Sequence, residues 1–181
     1  LMGHLADGGG HSHIDHLHAL VAIAKKARLS RVFIHALLDG RDVPPKSGRD
    51  YVRQLADACA ELSAGKIATV QGRFYALDRD KRWERLQKAY DALVYGAGTI
   101  DPDAVEAVQL SYDAGVTDEF VEPVICDEAG MIADGDSVIF INFRPDRARE
   151  LTWALTGNLP EGAEMETEAL DLHFVCTTQY D

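Results

Sequence analysis

Cysteine is scarce in this 181-residue chain, and the three present (Cys59, Cys126 and Cys176) lie far apart inside apolar stretches. An odd, scattered set argues against a disulfide framework; it fits a reducing compartment, with each thiol a small buried hydrophobe. No apolar run approaches the length of a membrane-spanning helix. There is no leader pattern either: Leu1 opens directly into a strand-like run, so the sequence reads as a piece of a longer chain. Positive charge is also short. Eighteen lysines and arginines face 30 acids, for a formal net charge of −12, which argues against nucleic acid and anionic membrane as partners. The Gly-Lys-Ser/Thr ending of a nucleotide loop is missing. So is any metal-ligand set beside a serine or threonine nucleophile, and there is no internal repeat or low-complexity tract.

What is present alternates strand and helix signals. Met2–Asp7 reads as a strand, and the turn Gly8-Gly9-Gly10 leads into Ser12-His13-Ile14-Asp15, a capping-box match. Leu17, Leu20, Val21, Ala24 and Ala27 keep helical spacing, so a helix is expected from about Ser12 to Arg28. Arg31–Leu38 is a buried strand by its β-branched and aromatic content. Ser47-Gly48-Arg49-Asp50 then caps a helix whose apolar face is Tyr51, Leu55, Cys59 and Leu62. Lys66–Gln71 is a third strand, Arg73–Asp80 a loop, and a helix follows from about Lys81. A shorter helix is expected near Asp103–Tyr112, with Phe120–Ile125 and Met131–Ala133 as a hairpin or edge strands. Ser137–Phe143 is the most apolar strand, and Pro145 fits the first turn of a helix reaching about Leu155. Residues 157–171 look like a solvated acidic loop, and Leu172–Thr177 is a last strand. One domain over residues 1–181 is expected, an α/β layered fold with a mainly parallel sheet flanked by helices.

Ligands of such sheets gather at the carboxyl ends of the strands, and the polar residues crowd there. His11 follows the first strand, and Asp39, Arg41 and Asp42 follow the second. Arg73 and Arg79 follow the third, and Arg144 and Arg147 follow Ser137–Phe143. Arginine outnumbers lysine twelve to six, which suits bidentate capture of carboxylate or phosphate. Arg144 and Arg147 stand at a strand end and an expected first helical turn, where cations oppose the helix dipole unless an anion sits between them. Neutralisation by Asp146 and other acids is the competing account. Arg41 beside Asp42 would keep that carboxylate ionised as a general base, or form a structural ion pair. His11, His13, His16 and His18 could serve packing and capping, an anion contact at His11, or a metal; metal binding is the least favoured of these.

Leu5-Ala6-Asp7-Gly8-Gly9-Gly10-His11-Ser12-His13 resembles the Leu-Ser-Asp-Gly-Gly-Val-His-Ser-His signature of cofactor-independent (2,3-bisphosphoglycerate-independent) phosphoglycerate mutases, departing at Ala6 and Gly10. HALLDGRDVPPKSG (35–48), QGRFYALDRDKRWER (71–85), AYDALVYG (89–96), TDEFVEPVI (117–125) and INFRPDRAR (141–149) are similar to the same family, in order along the whole chain. The resemblance implies the phosphotransferase, or substrate-binding, domain of a two-domain isomerase that interconverts 3- and 2-phosphoglycerate. His11, Arg41, Asp42, Arg73, Arg79, Arg144 and Arg147 match its substrate-contacting set, with Asp42 as proton acceptor. It further implies a phosphatase-like domain elsewhere in the same chain, carrying a transiently phosphorylated serine and two manganese ions, and no cofactor in this segment. The implied parent is a monomeric cytoplasmic enzyme of glycolysis, and the segment alone is expected to be inactive. An anion-binding module without catalysis, or a metal-dependent hydrolase built on the histidines, remain the alternatives.

Overall fold

Aliphatic residues in the central strands bury both faces, as a sheet covered on each side by helices requires. In this computed structural model, which describes residues 1–180, β1 (Met2–Leu5), α1 (Ile14–Lys26), β2 (Phe33–Leu38), α2 (Gly48–Leu62) and β3 (Lys66–Gly72) form two successive strand–helix–strand units. There follow α3 (Arg73–Ala76), α4 (Trp83–Tyr95), β4 (Thr99–Ile100), α5 (Ala104–Asp113), β5 (Val124–Ile125), β6 (Ser137–Phe140), α6 (Arg149–Thr156) and β7 (His173–Cys176). The seven strands are ordered β4-β5-β3-β2-β1-β6-β7. All pairings are parallel except that of β5 with β3.

Side-chain alternation divides the core in two. Leu5, Ile34, Ala36, Leu38, Val70 and Ile141 face Leu17 and Val21 of α1, Leu55 of α2 and Val108 of α5. Met2, Leu37, Val138 and Phe140 face Leu86, Tyr90 and Leu93 of α4 and Leu151 and Leu155 of α6. The chain moves from β1 through β2 to β3 on one side and later adds β6 and β7 on the other. Strand order therefore reverses at β1/β6, where the loops leaving the two carboxyl ends diverge and open a crevice.

Several local expectations need correction. The α1 cap is His13, whose Nδ1 accepts the Asp15 N–H; Ser12 instead donates to the carbonyl of His4 inside the β1 turn. Ser47 precedes α2 without capping it through its side chain, and the buried Asp118 carboxylate accepts the Gly48 N–H at 2.7 Å. The Arg73–Asp80 stretch contains the single-turn α3. Met131–Ala133 is not a strand, because a 3-10 turn at Glu128–Gly130 delivers it to the end of α4, where Ile132 donates to Leu93 O. β6 stops at Phe140, and the turn after Pro145 becomes α6 only at Arg149, the Pro145 carbonyl accepting from Ala148 and Arg149. The acidic stretch 157–171 is irregular but docked: Leu159, Met165 and Leu170 pack on the second core, and Gln87 bonds both polar groups of the Glu166 backbone.

Candidate functional site

Asp39 follows β2 directly and organises the crevice. Gly40 takes a left-handed turn (φ +68°) against the Asp118–Glu119 backbone, where a Cβ would lie 2.7 Å from Glu119 N. The chain thereby doubles back so that Arg41 N and Asp42 N both donate to Asp39 Oδ1, at 3.1 and 3.0 Å. Arg73, the first residue of α3, is 3% exposed and reaches across from β3. Its Nη1 donates to Asp39 Oδ1 at 2.6 Å and to Asp42 Oδ2 at 2.9 Å. His4 of β1 faces the other Asp39 oxygen, with Nε2 3.4 Å from Oδ2.

From the β1 loop, His11 stacks edge-on against His4, with ring centroids 5.5 Å apart. It lies between two acids, with Nε2 3.6 Å from Asp42 Oδ2 and Nδ1 3.7 Å from Asp146 Oδ1. The backbone bond from Phe143 N to His11 O (2.8 Å) joins the β1 and β6 loops. Asp146 in turn pairs with Arg79 Nη1 at 2.7 Å and Arg144 Nε at 3.0 Å. Arg147 donates to Leu77 O at 2.9 Å, and its Nε is buried without a hydrogen-bond partner. Arg41 stands at the outer rim, 3.6 Å from Glu119. All seven residues singled out in the sequence therefore meet at one edge of the sheet.

The electrostatics follow from this crowding. Burial alone would push the Asp39 carboxyl up; the nearby His4 ring together with bonds from the Asp42 amide and Arg73 overcomes it and holds the group well below the usual range. Asp42 is held low chiefly by Arg73, against a smaller effect of burial. Burial favours neutral His11, and His4 and Arg73 add to this, so its pKa falls to about 4. Asp146 is held low because Arg79, Arg144 and His11 outweigh its burial. For Arg147 burial acts first, and then Arg73 and Arg79 repel it, lowering its pKa. Among the described residues Arg147 pairs with no carboxylate. Arg73, Arg79 and Arg41 repel it and Asp146 attracts it, with burial and repulsion prevailing.

The acids that neutralise arginines in the free protein are thus real: Asp39 and Asp42 for Arg73, Asp146 for Arg79 and Arg144, Glu119 for Arg41. Sequence reasoning did not single out His4 or Asp118. A histidine inside the otherwise apolar run LMGHL was a usable signal for the first. Asp118 is fully buried and accepts from Tyr112 Oη and Gly48 N; nothing local marks it. The clustered histidines disperse to different tasks: His11 in the crevice, His13 at the cap, His16 against Phe143. Among the described residues no group of three His, Cys, Asp or Glu side chains could hold a metal ion, and no helix is long and apolar enough to cross a membrane.

The family model described as BPG-independent PGAM N-terminus matches residues 1–181. A 2,3-bisphosphoglycerate-independent phosphoglycerate mutase of Clostridium perfringens is 52% identical over 185 residues, covering 100% of this chain and 36% of that protein. The enzyme of the same name from Myxococcus xanthus is 51% identical over 187 residues, with the same coverage. A crystal structure of Leishmania mexicana phosphoglycerate mutase, determined at low cobalt concentration, superposes with a TM-score of 0.87 at 31% identity, over 99% of this chain and 35% of its own. The chain thus spans 36% of the length of the curated relatives it matches. With the doubly covered sheet, the quoted motifs and these relatives in agreement, the chain belongs to the BPG-independent PGAM N-terminus family.

Proposed function

We propose that this chain is the substrate-binding part of a phosphoglycerate mutase, holding phosphoglycerate while its phosphoryl group is exchanged with a companion phosphatase-like domain of the same protein. The observation that carries the reading is the convergence of Arg73, Arg79, Arg144 and Arg147 on one crevice, with Arg147 repelled by its neighbours and lacking a carboxylate partner among the described residues. A phosphate and a carboxylate on a three-carbon acid supply what that crevice lacks, through charge-assisted and bidentate bonds.

On this reading the acids divide by burial. Asp39, 2% exposed, stays with Arg73; Asp42, 44% exposed, is the exchangeable partner. While Arg73 bonds to Asp42, that carboxylate is a weak base. A substrate anion that draws Arg73 away lets the Asp42 pKa rise toward its ordinary range, and Asp42 then accepts the proton of the substrate hydroxyl. Neutral His11, between Asp42 and Asp146, donates a hydrogen bond to a substrate oxygen. The serine that carries the phosphoryl group and two manganese ions belong to the companion domain, where the ions supply charge neutralisation for transfer. The chain by itself therefore binds phosphoglycerate weakly and does not turn it over. The parent acts as a monomer in the cytoplasm, in glycolysis.

Arg144 gives the cleanest test, because its side chain is 53% exposed and touches only Asp146 among the described carboxylates. In the full-length protein, Arg144→Ala should lower kcat/KM for 3-phosphoglycerate about thirtyfold, the worth of one charge-assisted bond, with unchanged thermal unfolding. A wild-type protein that does not interconvert the phosphoglycerates would sink the reading; so would wild-type kinetics in the variant.

A further inference from the structure

A carboxyl pair lies where the loop after α3 meets the first turn of α6. Glu150, in the first turn of α6, is 4% exposed. Its Oε1 accepts the Lys81 N–H at 3.0 Å, and its Oε2 is buried without a hydrogen-bond partner. Asp78, equally buried, interacts with it directly. Asp78 Oδ2 accepts N–H bonds from Asp80 and Arg82 at 3.0 and 2.9 Å, and Oδ1 lies 3.8 Å from Arg85 Nη1. Two buried carboxyls in contact do not both ionise without strong repulsion. Asp78 has the donors a carboxylate needs, whereas Glu150 has one amide and an orphan oxygen, so the shared proton belongs on Glu150 Oε2.

We propose that Glu150 is a positioning residue: its protonated carboxyl bridges the Lys81 amide and Asp78, latching the Leu77–Arg82 loop onto α6 and thereby holding Arg79 and Arg147 at the rim. The same two segments are joined by Arg147 to Leu77 O and by Arg79 to Asp146, so both arginines share the seam that Glu150 closes. Lys81 adds a constraint: it sits at φ +57°, a left-handed conformation that a lysine adopts only when its surroundings hold it.

Burial, opposed by the Lys81 amide and reinforced by Asp78 and Asp80, pushes the Glu150 pKa up to about 7. The charged groups that act on it are Asp78 and Asp80 from the loop, and Arg85 of α4 stands 3.8 Å from Asp78 on the far side of the pair. A raised carboxyl pKa means that the folded state holds a proton the unfolded chain has lost, so the latch is closed at lower pH and weakens as pH rises through neutrality.

The positioning role rests on the binding role given to Arg79 and Arg147, and two readouts on the full-length protein separate the two. The first is kcat/KM for 3-phosphoglycerate against pH. The wild type should fall about tenfold as Glu150 ionises, one positioning contact being worth that much. Glu150→Gln, which keeps donor and acceptor at every pH, should hold the low-pH value, and Glu150→Ala should lie low throughout. The second is hydrogen–deuterium exchange of the Leu77–Arg82 segment, corrected for intrinsic rates: protection should decline with pH in the wild type and stay flat in Glu150→Gln. Superimposable wild-type and Gln behaviour in both readouts, or a Gln variant that tracks Ala, overturns the latch. If phosphoglycerate is not a substrate, the exchange comparison still decides it, as it does if the Ala variant fails to fold.

Discussion

The two edges of the parallel sheet are built from opposite materials. At the carboxyl edge, arginines, acids and histidines fill the space between β1, β2, β3 and β6 with ion pairs as short as 2.6 Å. At the amino edge lie open depressions of about 1020 and 380 Å³. Leu29, Phe33, Cys59 and Ile67 line the larger one, and Leu20, Ile23, Ile132 and Val138 the smaller. Volume therefore points to one edge and chemistry to the other. A drug-sized apolar ligand needs a roomy, apolar pocket. A small dianion, as the proposed function requires, needs fixed cations. Here Arg73, Arg79, Arg144 and Arg41 are already paired with Asp42, Asp146 and Glu119, which leaves Arg147 without a carboxylate among the described residues. Ion pairs between these arginines and acids fill the crevice, which is why the larger hollow is a poor guide here.

Removing Arg73 should break this contrast hardest. It is buried with Asp39 and Asp42 around it, so Arg73→Ala strands a buried carboxylate as well as deleting the proposed ligand contact. Loss of one partner of a buried pair costs about 3–5 kcal/mol. Urea denaturation of the 181-residue chain should show that loss, and turnover of the full-length protein should fall at least about a hundredfold. An unchanged denaturation midpoint would mean that the carboxyl edge is not held together by its charges. Arg144→Ala, exposed and singly paired, serves as the control that leaves the fold intact.

His11 and His35 sharpen the contrast through pH. Both are buried by neighbours that favour the neutral ring, with pKa values lowered to about 4 and about 3. His11 stands among arginines in the crevice, whereas His35 bonds Thr69 in the middle of the sheet and borders the smaller amino-edge hollow. A lowered histidine pKa means that the unfolded chain binds the proton first. Stability is then complete above about pH 6.5 and is lost as pH falls toward 4, by about 3 kcal/mol for His11. Imidazole NMR titration should separate the two rings: phosphoglycerate or sulfate should raise the His11 pKa and leave His35 unmoved. Equal shifts of both rings would mean that the anion binds at neither edge in particular.

The long elements were legible because they repeat. Leu17, Val21 and Ala24 mark α1, Tyr51, Leu55 and Cys59 mark α2, and the buried runs of β2 and β6 read as strands; the doubly covered sheet follows from their alternation. Shorter pieces carry no period. A four-residue α3 and two-residue strands β4 and β5 gave the expected hairpin near Met131 nothing to contradict it. Much the same division runs through the candidate site. Arginines stood out because each follows a recognisable strand, so topology alone places them at one edge. Asp118 and Glu150 did not, since their partners Gly48 and Lys81 lie 70 and 69 residues away. A carboxylate's role is set by what the fold brings to it. Asp42 was legible as a carboxylate beside an arginine, yet the arginine that bonds it is Arg73, not the adjacent Arg41.

At the amino edge, the smallest expected effect separates scaffold from chemistry. Ser63 ends α2 with φ 48° and ψ 42°, a left-handed conformation that crowds any Cβ, and it lines the larger hollow. Its backbone N–H already closes the helix on Ala60 O. Ser63→Gly removes the steric penalty of about 1 kcal/mol and adds some unfolded-state entropy, leaving a net gain of about 0.5 kcal/mol. Denaturation should register that gain, while kcat/KM for phosphoglycerate in the full-length protein should not change. A change in turnover would couple this edge to the crevice through α2, whose first residue, Gly48, bonds the same Asp118 that backs the Gly40 turn. With turnover constant, the hollow is a feature of packing, and the polar chemistry stays with the loops that leave β1, β2, β3 and β6.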